Sequence, residues 1–488
     1  MPDLSNRFFC ATLACALALL LVSGAARADQ MPELAAAIAQ TRAAYPTFVV
    51  IKPGDRYLAS VDDAQLAALV ARVAAGEWDA STEAATWVVL EGFSREQGPA
   101  ATYGRTLTSQ IAGSAAAGGN REALRGMARI LRRFLDDESH AYSILAQGLL
   151  SEKIRCGAAS LGDDELVARI TAEVNPDRAF KLGSTDGTVA DRYGLHRRAD
   201  LFAVAAQGER VAAAGYFGTV VVSRDGGRTW DTPLTGTDEP LYAVALGPGE
   251  EIWAAGRAGV VIRSEDGGRT WARRATPFNR HVFGLYAAGP ASVLAVGDYG
   301  LQLRTSDAGA HWTCIPREQD VILGRIARAG DDAVVAGEFG TLERLPAGLP
   351  PGRRGTLAGV PEDFYVFDAW FDASGTLGLA VGLAGAIVRS EDGGATWARV
   401  KSPFTQDLFG VGGSGARVVV SGEGGLLAHS EDGGRTFRPA DAPPLPLTLT
   451  DVEFADAEHA YAVGPRGLVL RSDDGGATFR VLRGGSGS

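Results

Sequence analysis

Gly256-Arg-Ala-Gly259, the apolar run Val260-Val-Ile-Arg263 and the turn Ser264-Glu-Asp266-Gly-Gly-Arg-Thr270-Trp271 follow one another without a break. The same order occurs one unit earlier, as Gly215-Tyr-Phe-Gly218 followed by Ser223-Arg-Asp225-Gly-Gly-Arg-Thr229-Trp230. The leading glycine recurs at Gly297, Gly337, Gly382, Gly422 and Gly464, a period of about 40 to 45 residues. A period of that length, built of short strands and tight turns, predicts a β-propeller blade. Seven repeats predict seven blades, a mainly β chain spanning 197–484.

The repeated turn, S-x-D-G-G-x-T-W, is the Asp-box, also called the bacterial neuraminidase repeat. Its carboxylates are Asp225, Asp266, Asp307, Asp392, Asp432 and Asp474. The chemistry is that of an Asx-turn: carboxylate and hydroxyl hold the turn backbone, and the glycines supply positive φ. The closing aromatic (Trp230, Trp271, Trp312, Trp397, Phe437, Phe479) is expected between blades. A catalytic group is rarely copied six times, so these aspartates read as structural. The fourth repeat lacks the box, and a Gly/Pro/Arg-rich insertion from Gly348 to Gly359 takes its place. A second repeated position, Arg263, Arg304, Arg344, Arg389, His429 and Arg471, with Val222 in the first blade, is expected to pair with turn carboxylates, the alternative being a basic ring offered to a partner.

Individuality lies in the middle of the G-x-x-G turns and in the links between blades. The turns and links are expected to share one face, and loops on a rigid scaffold are where binding usually sits. The candidates for contact with a partner are Tyr216, Phe217, Arg257, Arg280, His281, Asp298, Tyr299, Glu338, Phe339 and Arg466. Asp320, Asp363, Asp407 and Glu423 lie on the same links and turns.

The rest of the chain is organised around the propeller. Residues 1–28 read as a cleaved export signal: Arg7, an apolar run from Phe8 to Val22, then Ala26-Arg27-Ala28. A small helical domain over 29–178 follows, with one hairpin from Phe48–Ile51 and Tyr57–Ser60. Its clearest helix starts after Asn120 and carries Leu124, Met127, Ile130 and Leu131 on one face. Arg121, Arg125, Arg129 and Arg132 sit opposite, a face expected to be solvated. Residues 179–196 form a linker and 485–488 a tail. Once the leader is removed, Cys156 and Cys314 remain. Two buried thiols are the plainer expectation, and a bond in an oxidising compartment is the alternative.

Composition limits the functions available. The net charge of −11 works against a general nucleic-acid binder, which needs surplus Lys and Arg. No metal-ligand spacing or nucleophile motif is present, so no cofactor and no metal are expected. Gly410-Val-Gly412-Gly-Ser-Gly415 matches G-x-G-x-x-G only as letters, because no helix follows it. Asp298 and Glu338 are the one carboxylate pair that glycoside hydrolysis could use.

Gly297-Asp-Tyr-Gly300, Gly337-Glu-Phe-Gly340 and Arg389-Ser-Glu-Asp-Gly-Gly-Ala-Thr-Trp397 together resemble the photosystem II stability/assembly factor family and its non-photosynthetic bacterial relatives. The resemblance covers about residues 201–482 and leaves the helical domain outside. It implies a non-enzymatic, exported, seven-bladed propeller that helps assemble or stabilise a membrane-protein complex. Some bacterial relatives resemble partners of resistance-nodulation-division exporters. The competing expectations are a sialidase-like glycoside hydrolase and a carbohydrate- or peptide-binding receptor module.

Overall fold

A computed structural model describes residues 49–50, 59–60, 63–94, 111–136, 153–174 and 199–484, except 275, 277, 279, 316–320, 346–354, 357–363 and 446. The leader, the 179–196 linker, Asp320, Asp363 and the 485–488 tail lie outside the described residues, as does most of the 348–359 insertion.

Seven antiparallel sheets follow one another in sequence order, each built from consecutive strands, and they make a seven-bladed propeller. The second blade is typical: Leu241–Leu246, Ile252–Gly256, Val261–Ser264 and Ala272–Arg273 run from innermost to outermost. Its second strand is fully buried and its outer strand fully exposed, which is why the hydrophobic signal fades outward along each repeat. In the fourth blade the insertion supplies the missing outer strand, Gly355–Thr356, paired with Glu343 and Arg344. The first blade has three strands, and its outer edge is reduced to one bridge, Val222 with Asp231.

The Asp-box geometry explains why the motif recurs. In the second blade, Ser264 Oγ accepts the Gly268 N–H at 2.8 Å and donates to Asp266 Oδ1 at 2.8 Å. Asp266 also accepts the Thr270 N–H and hydroxyl, at 2.9 and 2.6 Å. The same set recurs around Asp225, Asp392, Asp432 and Asp474. Around Asp307, Thr305 replaces the serine and His311 the threonine. These bonds, led by the Thr229 and Thr396 hydroxyls, hold Asp225 and Asp392 down at about 2. Trp397 closes its box by donating to the Gly394 carbonyl at 3.0 Å and packs edge-on to Phe371.

The repeated arginine reaches from one blade to the next. Arg389 donates to the Gly433 carbonyl at 2.6 Å, Arg344 to Gly393 and Arg471 to Gly226. Each acceptor is the first glycine of the following blade's box. Arg344 also pairs with Asp332 and Arg263 with Glu251, the carboxylate contacts expected of this position. Blade 1 has Val222 here, and Arg224 makes the reach instead, to Gly267 O at 2.8 Å.

Gly410 and Gly412 belong to the inner strand of blade 6 (Leu408–Ser414), not to a dinucleotide loop. A Cβ on Gly410 would stand 2.9 Å from the Asp451 Cα, and one on Gly412 2.6 Å from the Val452 carbonyl oxygen. These glycines let two blades approach closely.

Contacts divide the chain into two units, the first being Met1–Lys181 with Thr313–Asp320 and the second the remainder. In the first unit, helices α1 (Asp63–Ala74), α2 (Ala80–Ser94), α3 (Arg121–Asp136) and α4 (Asp164–Val174) surround a core of Leu69, Val73, Leu124, Met127, Ile130, Leu131, Leu166 and Ile170. Asn120 caps α3 through the Ala123 N–H at 3.0 Å, and Asp163 caps α4 through Leu166 at 2.9 Å. Of the expected hairpin, the described residues are Val49–Val50, which pair with Ala59–Ser60. The arginine face of α3 is neutralised locally: Arg121 pairs with Asp163, and Arg129 with Glu83 and Glu122. Cys156 and Cys314 are disulfide-bonded with Cα atoms 5.1 Å apart, which corrects the expectation of two free thiols. Spacing along the chain could not bring together residues 158 apart; the fold does. No described helix is long and apolar enough to cross a membrane.

Candidate functional site

The G-x-x-G turns join the second and third strands of each blade and fold back onto the start of the inner strand. Tyr216 N–H donates to Asp200 O, Arg257 to Pro240 O, Asp298 to His281 O, Glu338 to Ile322 O and Glu423 to Asp407 O. Turns and interblade links therefore meet at one end of the propeller, around the mouth of its channel.

The second middle residue of these turns is left-handed: Phe217, Ala258, Tyr299, Phe339, Ala384 and Arg466 have φ between 51 and 59°. Gly424 fills the same place in blade 6 at 68°. A Cβ in this region costs about 1 kcal/mol relative to glycine. Phenylalanine nevertheless occupies it twice, with Phe217 41% and Phe339 70% exposed. Tyr216, Ile322 and Leu383 add exposed apolar surface on the same face.

Several candidate side chains are committed to the fold. Asp298 is buried and accepts the His281 N–H at 3.1 Å. Glu338 Oε2 accepts the Ile322 N–H at 2.8 Å, and its Oε1 accepts the Tyr365 hydroxyl at 3.2 Å. The two carboxylates read as a possible hydrolytic pair thus hold backbone. His281 Nδ1 accepts the Ala258 N–H at 3.2 Å, and burial followed by Arg257 and Arg280 pushes its pKa down. Arg280 is buried with its guanidinium 4.9 Å from the Tyr299 ring centre, so it supports that ring from within. Asp407 accepts the Ala384 N–H at 2.8 Å. Arg257 is half-exposed and near Glu239, at 3.8 Å. Arg466 projects from its turn, its own N–H bonded to Asp200 at 2.8 Å.

Two features at the mouth escaped the sequence reading. The inner strands of the first six blades carry a bulge after their first residue. The bulge position holds Phe202, Tyr242, Phe283, Gly324, Phe367 and Phe409, with Thr450 at the corresponding place in blade 7. The rings contact around the channel: Phe202 to Tyr242 at 5.6 Å, Tyr242 to Phe283 at 5.3 Å, and Phe367 to Phe409 at 5.0 Å. One residue further along lie Arg325, Asp368 and Asp451, with Glu453 two residues beyond. Arg325 Nη2 is 3.2 Å from Asp451, and its Nε is 3.6 Å from Asp368. Burial pushes Asp368 up to about 7 and Glu453 up to about 8. The sequence does carry the first signal, as Leu201-Phe-Ala, Leu241-Tyr-Ala, Val282-Phe-Gly, Val366-Phe-Asp and Leu408-Phe-Gly. It appears only when the blades are aligned on their inner strands. No cluster suited to a metal ion occurs among the described residues.

The family model for photosynthesis system II assembly factor YCF48 matches residues 202–338. A solved structure described as YCF48 bound to D1 peptide is 20% identical, with a TM-score of 0.48 over 56% of this chain and 93% of its own. YCF48 from Cyanidioschyzon merolae is 19% identical, with a TM-score of 0.47 over 56% and 96%. No curated protein matches the chain. The propeller of this chain is seven-bladed, and residues 202–338 of it are similar to the photosynthesis system II assembly factor family.

Proposed function

We propose that this protein is an exported, non-enzymatic scaffold whose turn face docks a segment of a membrane-protein complex and assists its assembly or stability. The observation that carries this reading is the exposure of Phe217 and Phe339 at left-handed turn positions where glycine would fit without strain. Apolar surface retained at a conformational cost is surface in use. The family model matched over residues 202–338 is that of a photosynthesis system II assembly factor, which supports an assembly role. Export is supported by the Cys156–Cys314 bond, which an oxidising compartment would preserve. A resistance-nodulation-division exporter is the partner class this reading favours. A hydrolase is disfavoured by the engagement of Asp298 and Glu338 with backbone amides.

The test is crosslinking of the full chain to a membrane fraction, comparing wild type with Phe217→Gly/Phe339→Gly. The expected result is loss of one membrane-protein adduct, retained in Val481→Ala, which alters an exposed apolar residue of an outer strand. An unchanged adduct in the double variant would refute the proposed face, and hydrolysis of a sialoside or glucan panel would refute the non-enzymatic reading.

A further inference from the structure

We propose that the channel mouth receives one basic side chain, a lysine or arginine, carried by the segment that docks on the turn face. The proposal rests on the scaffold reading and adds the chemistry of the anchor.

The aromatic ring around the mouth is interrupted twice. Phe202, Tyr242 and Phe283 form one arc and Phe367 and Phe409 another, with Gly324 and Thr450 in the gaps. A Cβ on Gly324 would meet nothing nearer than the Phe367 carbonyl oxygen at 3.6 Å, so the gap at blade 4 is open. The gap at blade 7, between Phe409 and Phe202 in blade order, begins the strand that carries Asp451 and Glu453. Aromatic faces attract a cation most strongly where water is excluded.

Below the ring, charge is unbalanced. Among the described residues, Arg325 is the one cation set against three carboxyl groups, Asp368, Asp451 and Glu453. Two of the three are well held. Asp368 accepts the Val411 N–H at 2.8 Å and the Ala369 N–H at 2.9 Å; Asp451 accepts Val204 at 2.9 Å and Val452 at 3.0 Å. Arg325 lies against both. Glu453 accepts only the Phe454 N–H, at 3.2 Å, among the described residues. Burial, then repulsion from Asp451 and Asp368, keeps Glu453 protonated near neutrality, so a proton stands where a second cation is wanting. Nearby, the fully buried Ser421 hydroxyl has no hydrogen-bond partner among the described residues. It lies 2.7 Å from the point where a Cβ on Gly410 would stand, with the Asp451 Cα 2.9 Å from the same point.

These features select the occupant. An apolar side chain would satisfy the aromatic arcs and leave the carboxyl groups uncompensated. An acidic one would add a fourth carboxyl group to three that already crowd one another. A long basic side chain answers both requirements, with its stem against the rings and its head toward Glu453. Thr450 to Glu453 spans about 10 Å of strand, a depth matched to an extended lysine or arginine. Because a cation takes the place of protons, binding is coupled to proton release and strengthens as pH rises. The charged and titratable groups around the site include Arg325, Asp368, Asp451 and Glu453 within the channel, Tyr242 in the aromatic ring, and Arg257, Arg280, His281, Asp298, Glu338 and Tyr365 at the rim. Tyr365 is pushed up to about 12 and His281 down, so neither titrates between pH 7 and 8.5.

The experiment is calorimetric titration of the full chain with the blocked peptide Ala-Gly-Lys-Gly-Ala and its norleucine and glutamate analogues. The lysine peptide should bind about tenfold tighter than norleucine at pH 8.5, with the preference shrinking toward pH 6. Glu453→Gln should remove the preference, and Gly324→Phe, which fills the open gap at blade 4 while leaving the carboxyl groups in place, should weaken binding. Equal affinity for lysine and norleucine, tighter binding of glutamate, or no lysine binding at millimolar concentration would overturn the proposal. So would a lysine preference that survives Glu453→Gln. Phe339→Gly should weaken capture of the membrane protein yet keep the lysine preference. Failure of the scaffold reading alone would therefore appear as membrane-protein capture unchanged by Phe339→Gly, with the lysine preference intact.

Discussion

Arg471 of the last blade donates to the carbonyl of Gly226 in the first, 245 residues upstream, and the Tyr461 hydroxyl reaches the same oxygen at 3.1 Å. No sheet mixes strands from the two ends of the repeat array, so the ring closes through side chains and loops rather than a shared sheet. Thr450 to Leu201 O, Asp451 to Val204 N and Arg466 N to Asp200 complete the seam. Replacing Arg471 by Met should cost about 1.5 to 3 kcal/mol, because the bond is charge-assisted and half-buried. Urea unfolding should show this as a lower midpoint, larger than that of Arg269→Met, whose side chain bonds only within its own turn.

Ser264 and Ser223 are buried and each accepts a glycine N–H inside its Asp-box. Ser264→Ala should leave the Gly268 N–H unpaired and destabilise by about 1 to 3 kcal/mol. Ser264→Thr should be nearly neutral, since Thr305 performs the same role in blade 3 at 2.9 Å. Thermal melts of the two variants check the contrast.

Phe339→Gly and Phe217→Gly should separate stability from binding. Glycine relieves the left-handed strain, so the melting temperature should stay level or rise, by up to about 1 kcal/mol in equivalent stability. Partner capture should fall at the same time. A loss of stability would mean these rings serve the fold.

Stability should peak in mildly acidic solution. Asp225, Asp307 and Asp392 are held at about 2, below the ordinary 3.8, so their contribution is present above pH 4 and is lost as pH falls toward 2. Asp368 and Glu453 are shifted the other way, to about 7 and about 8. Each is penalised only when ionised, so stability declines as pH rises from about 4 through 8. Denaturation midpoints across pH should show both slopes, and Asp368→Asn with Glu453→Gln should flatten the alkaline one.

Reducing the Cys156–Cys314 bond should destabilise the first unit. The cysteines are 158 residues apart, and the chain-entropy treatment gives about 5 kcal/mol for closing a loop of that size. Wild type in reductant and Cys156→Ser/Cys314→Ser in its absence should show the same loss by calorimetry.

The propeller was legible because its decisive interactions are local. Each Asp-box spans under ten residues, and its serine, aspartate, glycines and threonine bond mainly to one another. Asn120 was readable as a cap for the same reason. The turn candidates were only partly readable: Tyr216, Phe217 and Phe339 are exposed, whereas Asp298 and Arg280 turn inward. Nothing within a four-residue turn distinguishes a carboxylate facing solvent from one bonded to the neighbouring link.

By itself, the sequence determined the repeat, its number and the turn chemistry, because short-range hydrogen bonds and alternating burial leave their period in the chain. Tertiary structure alone decided which residues meet across the ring: Arg325 with Asp368 and Asp451, Phe202 with Tyr242, Arg471 with Gly226, and Cys156 with Cys314. Those encounters depend on seven sheets closing around one axis and, for the cysteines, on a distant return of the chain. Neither leaves a trace in local spacing.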